Sequence, residues 1–394
     1  MGALYNGTKL MITQPPFRAS PAEPDICSSF HRLASQDAGH AITGSVAAGP
    51  GRRSSARLDT IAKTDVASFF TEALGEGGCM RYRPLGNSGL QVSVVGLGCN
   101  NFGRRLNIEQ TRAVVDAAID SGVTLLDTAE TYGGRGRSEE LLGEVLAGRR
   151  DQVVLATKFG SQGSDMGYGP AAGAKGGRSY VRRAVEQSLR RLRTDYIDLY
   201  QIHTPDPVTP IEETLAVLGE LVRAGLVRYV GHSNFSGAQL AAAAAAASEM
   251  NAVPFISAQN HWSLLERQAE LDVVPAAVKF GVGVLPFFPL ANGLLTGKIR
   301  RGVGPAQGTR LAERADYITD AKLDKVEALA EWGEQHGRSL LEVAIGGLAG
   351  RPGCASVIAG ATSAEQVRAN VAAGEWEPTE EELAEIDKIV PVVS

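Results

Sequence analysis

From residue 94 onward, short apolar segments alternate with longer amphipathic ones, and this alternation constrains the fold more than any other feature. The apolar segments have the length of buried strands, and the amphipathic ones have a helical period. We predict eight strands, at 94–98, 123–127, 153–157, 196–202, 227–230, 255–258, 282–287 and 356–358. We predict helices at 108–120, 138–147, 180–192, 211–224, 238–249, 266–280, 323–335, 340–349 and 364–371. Ser138 is the expected N-cap of the second helix, and Pro275 lies inside the sixth.

Eight strand–helix units favour a (β/α)8 barrel, because strands joined through helices run parallel and eight of them can close on themselves. A doubly wound sheet is the alternative, but it usually has fewer units and a glycine-rich phosphate loop after its first strand. The turn Gly86-Asn87-Ser88-Gly89 between two short strand patterns predicts a β-hairpin before the barrel. The predicted fold class is therefore α/β, a TIM barrel with an N-terminal β-hairpin.

Composition separates residues 1–79 from the rest of the chain. This segment is rich in Ser, Ala, Gly and Pro and has no sustained period, so we predict a long, largely disordered extension followed by a barrel at 80–394. Four scattered cysteines form no CxxC or Cys/His cluster, and no metal site is expected. We interpret His232 and His261 as structural or pocket-lining for the same reason. A net charge of −5 and the lack of a long apolar run suggest neither a nucleic-acid partner nor a membrane partner. We expect a cytoplasmic protein, and the sequence does not indicate its oligomeric state.

Polar side chains follow five predicted strands in succession. They are Asp127, Lys158, His203, Asn234 and Gln259. In a (β/α)8 barrel these strand ends converge on the face that carries the active site. Five polar groups at five such positions predict a catalytic site rather than a series of solvated turns.

Tyr132 follows Asp127 by one loop, and the pair suggests acid catalysis. A phenol has an ordinary pKa of about 10, and a neighbouring Lys158 ammonium is expected to lower it by favouring the phenolate. Asp127 would keep this lysine charged and fixed, and His203 can orient a carbonyl oxygen through a hydrogen bond. The four side chains together predict a general acid directed at a carbonyl oxygen, in a site that needs a hydride donor.

These residues and five motifs resemble the aldo-keto reductase superfamily over residues 80–387. The motifs are RPLGxxGLxVS at 83–93, LDTAxxYG at 126–133, DLYQIH at 198–203, GHSNF at 231–235 and PLxxGLLTGK at 289–298. The resemblance implies NADPH-dependent reduction of a small carbonyl substrate, an aldehyde or ketone. It also implies that Tyr132 is the acid, that Asp127 and Lys158 tune it, and that His203 orients the carbonyl.

The same resemblance implies residues for the cofactor and the substrate. Ser233, Asn234 and Gln259 would hold the carboxamide, and Phe287 would stack on the nicotinamide. The other implied cofactor contacts are Leu290, Asn292, Gly293 and Lys298, followed by Gly360, Thr362, Gln366 and Asn370 at the adenosine end. The implied substrate-pocket residues are Asn101, Phe102 and Trp262. Because Thr362 and Gln366 stand where many members have Arg or Lys for the 2′-phosphate, NADPH is the expected cofactor and NADH the alternative.

Two other functions fit some of these residues. A lysine at a barrel strand end would suit a Schiff-base aldolase, but a paired Asp127 keeps Lys158 protonated and argues against that chemistry. Some members of the superfamily are cofactor-bound regulatory subunits of membrane proteins, and the intact catalytic residues permit that role as well. The substrate itself is not readable, because the loops expected to shape its pocket, at 159–177 and 291–320, follow no clear pattern.

Overall fold

Eight parallel strands form a closed barrel in the computed structural model, which describes residues 80–302, 304–307 and 310–392. The extension predicted at 1–79 lies outside these residues. The barrel strands are β3 (Val95–Gly98), β4 (Leu125–Asp127), β5 (Val154–Phe159), β6 (Ile197–Ile202), β7 (Val227–Ser233), β8 (Ser257–His261), β9 (Gly283–Phe287) and β10 (Val357–Gly360). They pair in sequence order, and β10 closes the ring against β3. The predicted TIM barrel is confirmed, and the doubly wound alternative is wrong.

Helices surround the barrel and supply the outer half of its core. Those of the described residues are α1 (Ile108–Asp120), α2 (Arg137–Val145), α3 (Arg178–Leu192), α4 (Ile211–Arg223), α5 (Gly237–Met250), α6 (Val273–Phe280), α7 (Asp320–Gln335), α8 (Leu340–Ala349), α9 (Ala364–Ala373) and α10 (Glu380–Ile389). None of them is both long enough and apolar enough to cross a lipid bilayer.

Two predicted helix details are wrong. Helix α2 begins at Arg137 after Gly136, whose φ of 91° is easy only for glycine. Ser138 therefore lies inside the first turn, where its hydroxyl donates to the Cys99 carbonyl at 2.9 Å instead of capping the helix. The helix predicted at 266–280 is split into a short 3₁₀ turn, Gln268–Glu270, and α6. Pro275 falls in the first turn of α6, where its missing N–H removes no helical hydrogen bond.

The predicted hairpin is present and closes the amino-terminal end of the barrel. Strands β1 (Tyr82–Pro84) and β2 (Gln91–Ser93) pair in an antiparallel sense. Leu85 and Val92 are fully buried and pack inside the barrel with residues of its strands, which leaves this end filled by side chains. Gly86 has a φ of 59°, and a Cβ there would lie 2.4 Å from the Gly281 carbonyl oxygen, so the turn can dock only with glycine at this position.

Strand register brings the predicted polar residues to the opposite, carboxyl end of the barrel. Asp127 pairs with Ala156, Lys158 with Gln201, and Ser233 with Gln259. The predicted convergence of strand ends on one face is therefore present in the fold.

His232 is structural and not pocket-lining. Its ring is fully buried beside Phe235 and Phe255, with centroid distances of 4.6 and 5.4 Å. Neither ring nitrogen has a hydrogen-bond partner among the described residues. Burial lowers the pKa of His232 to about 3, because the apolar surroundings disfavour the charged ring.

We predict that His232→Leu makes the fold less sensitive to acid. Below pH 6.5 the imidazole gains a proton in the unfolded chain but not in the folded one, so stability falls as the pH falls. Between pH 7.5 and pH 5.0 this protonation lowers the free energy of unfolding of the wild type by roughly 2 kcal/mol, and the variant should not show this loss. Urea unfolding at both pH values measures the difference. An equal acid-induced loss in the wild type and the variant would contradict the prediction.

Candidate active site

A cavity of about 900 Å³ opens at the carboxyl ends of the strands. Three of the four predicted catalytic residues, Asp127, Tyr132 and His203, line it directly. The predicted cofactor residues that also line it are Ser233, Asn234, Gln259, Phe287, Leu290, Asn292, Gly293, Lys298, Gly360, Thr362, Gln366 and Asn370. The structure thus brings these predicted residues to one cavity.

Lys158 is fully buried beside the cavity, at the end of β5. Its ammonium donates hydrogen bonds to Asp127 Oδ2 at 2.7 Å, to the Thr128 carbonyl at 2.7 Å and to the Tyr132 hydroxyl at 3.3 Å. These three acceptors use all three N–H groups of the ammonium. Burial acts to lower the pKa of Lys158, but Asp127 and Tyr132 together raise it above its ordinary value, so the lysine is charged at neutral pH.

Asp127 connects the ammonium to the amide residues of the neighbouring strands. Its Oδ1 accepts a hydrogen bond from Gln259 Nε2 at 2.9 Å and lies 3.5 Å from Gln201 Nε2. The main-chain carbonyl of Gln259 in turn accepts from the Ser233 hydroxyl at 2.9 Å. The carboxylate is therefore held on both oxygens, and its charge is directed at Lys158.

Tyr132 has a higher pKa than the sequence predicted. Burial raises the pKa of its hydroxyl more than the Lys158 ammonium lowers it, and the Asp127 carboxylate also raises it. The expectation of a lowered pKa is thus wrong, because it left out the cost of a buried phenolate. Since the phenol oxygen accepts a hydrogen bond from Lys158, its own proton remains available for a group in the cavity.

His203 lies directly after β6 and faces Tyr132 edge-on, with ring centroids 5.8 Å apart. Burial, with added repulsion from Lys158 and Lys175, lowers the pKa of His203 to about 3. The imidazole is therefore neutral at physiological pH and offers a hydrogen bond without a charge. Asn234 Nδ2 donates to the His203 carbonyl at 2.9 Å and joins this segment to the end of β7.

The cavity wall after β9 has an unusual backbone. Phe288, Ala291 and Asn292 have φ values of 54°, 47° and 60°, and Gly293 has 113°. Residues other than glycine rarely adopt these positive φ values, and such backbone conformations cluster at ligand sites. Just before them, Phe287 packs one face on His261 at a centroid distance of 5.5 Å with the rings nearly parallel.

The neighbouring part of the wall is formed where β10, which pairs with β9, leads into α9. The Thr362 N–H donates to Gln366 Oε1 at 2.9 Å, which fixes both residues at the start of the helix. Ser363 caps α9 through the Gln366 N–H. A helix amino terminus favours anionic groups, so this wall suits a phosphate.

Two of the three predicted substrate-pocket residues do not reach the cavity. Phe102 is fully buried in the core between the strands and the outer helices. Trp262 is also fully buried, and its indole N–H donates to Glu270 at 2.8 Å. Burying a large aromatic ring stabilises the fold more than leaving the ring exposed to water. Asn101 does line the cavity, and its side-chain amide donates to the Ala361 carbonyl at 3.3 Å.

Arg310, which no sequence pattern indicated, lines the cavity from the loop after β9. Its guanidinium donates to Asn100 Oδ1 at 2.9 Å and lies over the Phe288 ring, 4.9 Å from the centroid. Burial lowers the pKa of Arg310, with further repulsion from Arg105 and Arg104. Its position depends on how an irregular loop folds, so no periodic signal marks it. Of the two loops expected to shape the pocket, only this one contributes to the cavity lining.

We predict that Lys158→Met destabilises the fold by roughly 3–5 kcal/mol, because it leaves the buried Asp127 carboxylate without its cation. Adding Asp127→Asn should recover most of that loss, since no buried charge then remains unpaired. Urea unfolding followed by tryptophan fluorescence measures both variants.

The control for this prediction is Arg137→Met, which breaks an exposed ion pair with Glu140. It should change the free energy of unfolding by less than about 1 kcal/mol. A Lys158→Met variant as stable as the wild type would show that the buried pair is not needed for the fold.

The sequence matches known oxidoreductases over most of its length. The profile of the Aldo/keto reductase family matches residues 94–391. The chain is 38% identical to the uncharacterized oxidoreductase YrpG of Bacillus subtilis, over 79% of this chain and 96% of that protein. It is 34% identical to the L-glyceraldehyde 3-phosphate reductase of Escherichia coli K12, over 79% and 92% of the two chains. It is also 34% identical to a probable voltage-gated potassium channel subunit beta of Oryza sativa, over 79% and 97%. On the strength of this coverage, the chain belongs to the aldo/keto reductase family and is an oxidoreductase of that family.

Proposed function

We propose that the protein reduces small aldehydes or ketones to alcohols with NADPH, and that Tyr132 is the general acid. The observation that carries this proposal is the hydrogen-bonded set Asp127–Lys158–Tyr132, with His203 beside it, at the base of a large cavity. Carbonyl reduction needs a hydride at carbon and a proton at oxygen. The described residues supply the proton, and NADPH, when bound, would supply the hydride.

The cavity fits a dinucleotide in both size and chemistry. Its 900 Å³ extend from Ser233 and Gln259 on one side to Gln366 and Asn370 on the other. Amides and a hydroxyl near Tyr132 match a carboxamide, and the exposed face of Phe287 suits a nicotinamide ring. The start of α9 suits a phosphate.

Two cations favour NADPH over NADH. Lys298 and Arg310 both line the cavity, and neither forms a carboxylate ion pair in the described part of the chain. Arg310 is half-buried and Lys298 is exposed, and cations of both kinds bind phosphate oxygens through charge-assisted hydrogen bonds. They supply the positive charge that Thr362 and Gln366 do not.

The side chains divide the work on the carbonyl oxygen. Tyr132 and the neutral His203 can both donate a hydrogen bond to it, which holds the carbonyl in place and polarises it. As charge develops on that oxygen, the phenol releases its proton to it, and the Lys158 ammonium stabilises the phenolate that remains. Asp127 keeps the ammonium in position throughout.

A second candidate function is that of a cofactor-bound regulatory subunit with little turnover. The similarity to a probable potassium channel subunit beta is the observation that favours it. Steady NADPH oxidation with 4-nitrobenzaldehyde, or with glyceraldehyde 3-phosphate, supports the reductase. Tight NADPH binding without turnover on either aldehyde would favour the regulatory role. A Schiff-base aldolase is disfavoured, because the raised pKa of Lys158 keeps its amine protonated.

We also propose a cytoplasmic location without nucleic-acid or membrane partners. Cys99 and Cys354 are both buried free thiols, as is usual in a reducing compartment. The net charge of −5 does not favour binding to polyanions.

We predict that Tyr132→Phe retains NADPH binding and loses most of the reductase activity, on the order of 10²–10⁴-fold in kcat. The ring and its packing remain, but the proton donor is removed. NADPH affinity from fluorescence titration and kcat from absorbance at the nicotinamide band measure the two properties. Tyr196→Phe is the matched control, because Tyr196 packs between Arg150 and Arg228, outside the cavity lining. Near-normal turnover in Tyr132→Phe would show that Tyr132 is not the general acid.

We predict that Lys298→Ala and Arg310→Ala each weaken NADPH binding by about 10-fold, the loss of one charge-assisted hydrogen bond. Comparing NADPH with NADH locates the contact. A cation at the 2′-phosphate affects NADPH alone, whereas a cation at the pyrophosphate affects both equally. Lys279→Ala is the control, since Lys279 lies near Phe280 on α6. Unchanged affinity for both cofactors in both variants would contradict the assignment.

A further inference from the structure

Glu130 is a fully buried carboxylate that lies two residues before Tyr132 in the same loop. Its main-chain N–H donates to the Lys158 carbonyl at 3.0 Å, which extends the pairing of β4 and β5 beyond the strand end. The loop that carries the acid is therefore joined through this residue to the strand that carries the lysine.

The Glu130 side chain makes a second connection to the same segment. Its Oε1 accepts from the Gly160 N–H at 2.8 Å and from the Tyr180 hydroxyl at 2.9 Å, and its Oε2 accepts from the Tyr168 hydroxyl at 3.0 Å. Both carboxylate oxygens are thus hydrogen-bonded, which offsets part of the cost of burying this charge, although burial still raises the pKa of Glu130. The nearby Glu139 carboxylate also raises the pKa of Glu130.

These contacts clamp the two sides of Lys158. The backbone of Glu130 binds residue 158, and its carboxylate binds residue 160. A shift of the 128–132 loop along β5 would break both hydrogen bonds at once. The 3.3 Å contact between Lys158 Nζ and the Tyr132 hydroxyl depends on that alignment.

We propose that Glu130 is a positioning residue, which sets the separation of Tyr132 and Lys158 by clamping the acid's loop to β5 and the segment after it. This inference rests on the proposed reductase function of the same site. It further assigns Tyr168 and Tyr180 as the groups that fix the carboxylate from the 160–177 loop and from α3. That loop therefore acts on the reaction through Glu130, although it does not line the cavity.

Glu130→Leu tests the clamp, because leucine preserves volume but accepts no hydrogen bond. We expect kcat to fall on the order of 10²-fold through misplacement of the acid. The Kd for NADPH should change by less than about threefold, because the hydrogen-bond partners of Glu130 include no residue predicted to bind the cofactor. The alkaline pKa in the pH profile of kcat should rise, since the phenol loses part of its contact with the ammonium.

Glu130→Gln should rescue kcat to within about threefold of the wild type. Its Oε1 can still accept from Gly160 and Tyr180, and its amide N–H can donate to the Tyr168 oxygen. If Glu130→Leu does not fold, the double variant Tyr168→Phe/Tyr180→Phe replaces it as the broken clamp, and Glu130→Gln remains the variant with the clamp intact. The double tyrosine variant should show the lower kcat and the raised alkaline pKa.

Asp198→Leu is the matched control, because Asp198 is also a buried carboxylate hydrogen-bonded to β5, through the Leu155 N–H, but its other partners are Arg150 and Arg228. It should lower the urea midpoint but leave the alkaline pKa of kcat unchanged. The proposal is overturned if Glu130→Leu keeps the kcat and pH profile of the wild type, or if Asp198→Leu shifts the profile equally.

Amide hydrogen exchange separates this inference from the proposed function. Exchange at Gly160 should accelerate in Glu130→Leu whether or not the protein turns over an aldehyde. A wild type without turnover would refute the reductase assignment. An active wild type with unchanged exchange and kcat in the variant would refute the clamp alone.

Discussion

The burial of one ammonium group organises the catalytic end of this barrel. A charged lysine without access to water is tolerated only when its three N–H groups find acceptors, and one of these must carry a negative charge. Lys158 finds them in Asp127, the Thr128 carbonyl and the Tyr132 hydroxyl. All three acceptors lie within six residues at the end of β4. The path of the chain from the strand into its loop is therefore fixed by the need to surround this cation.

The same burial has opposite effects on the groups next to the lysine. It holds the pKa of Tyr132 above its ordinary value and that of His203 far below it. At neutral pH both side chains are uncharged hydrogen-bond donors, and they lie beside the charged pair of Asp127 and Lys158. A neutral carbonyl group meets a polar surface there without displacing a free ion. The arrangement favours charge that develops during a reaction over charge that is bound beforehand.

The fold was predictable because buried parallel strands are nearly continuous apolar segments, and eight of them recur along the chain with helical segments between them. The strand ends were less predictable. Strands β7 and β8 continue to Ser233 and His261, past the apolar residues where the predicted strands stop at Val230 and Ala258. Polar residues there continue the hydrogen-bonded ladder while their side chains serve the cavity, so hydrophobicity alone places the ends too early.

The site was predictable where topology decides position and unpredictable where side-chain direction decides it. The carboxyl ends of the barrel strands lie on one common face, and Asp127, His203 and Gln259 line the cavity there. Phe102 and Trp262 follow strand ends closely in the sequence, but their rings are buried in the core. The pKa of Tyr132 could not be read from its neighbours in sequence, because the cost of burial exceeds the effect of the adjacent ammonium.

The hairpin that fills the amino-terminal end of the barrel also has a consequence for how the protein is made. Arg83 donates to the Ala349 carbonyl, 266 residues further along the chain, and β3 pairs with the last strand, β10. On the ribosome, the first strands must wait for almost the whole chain to emerge before they acquire these neighbours. Such long-range pairing slows folding and leaves the edge of β3 open in the meantime. The connectivity that keeps the finished barrel closed therefore delays that closure until the last strand has emerged.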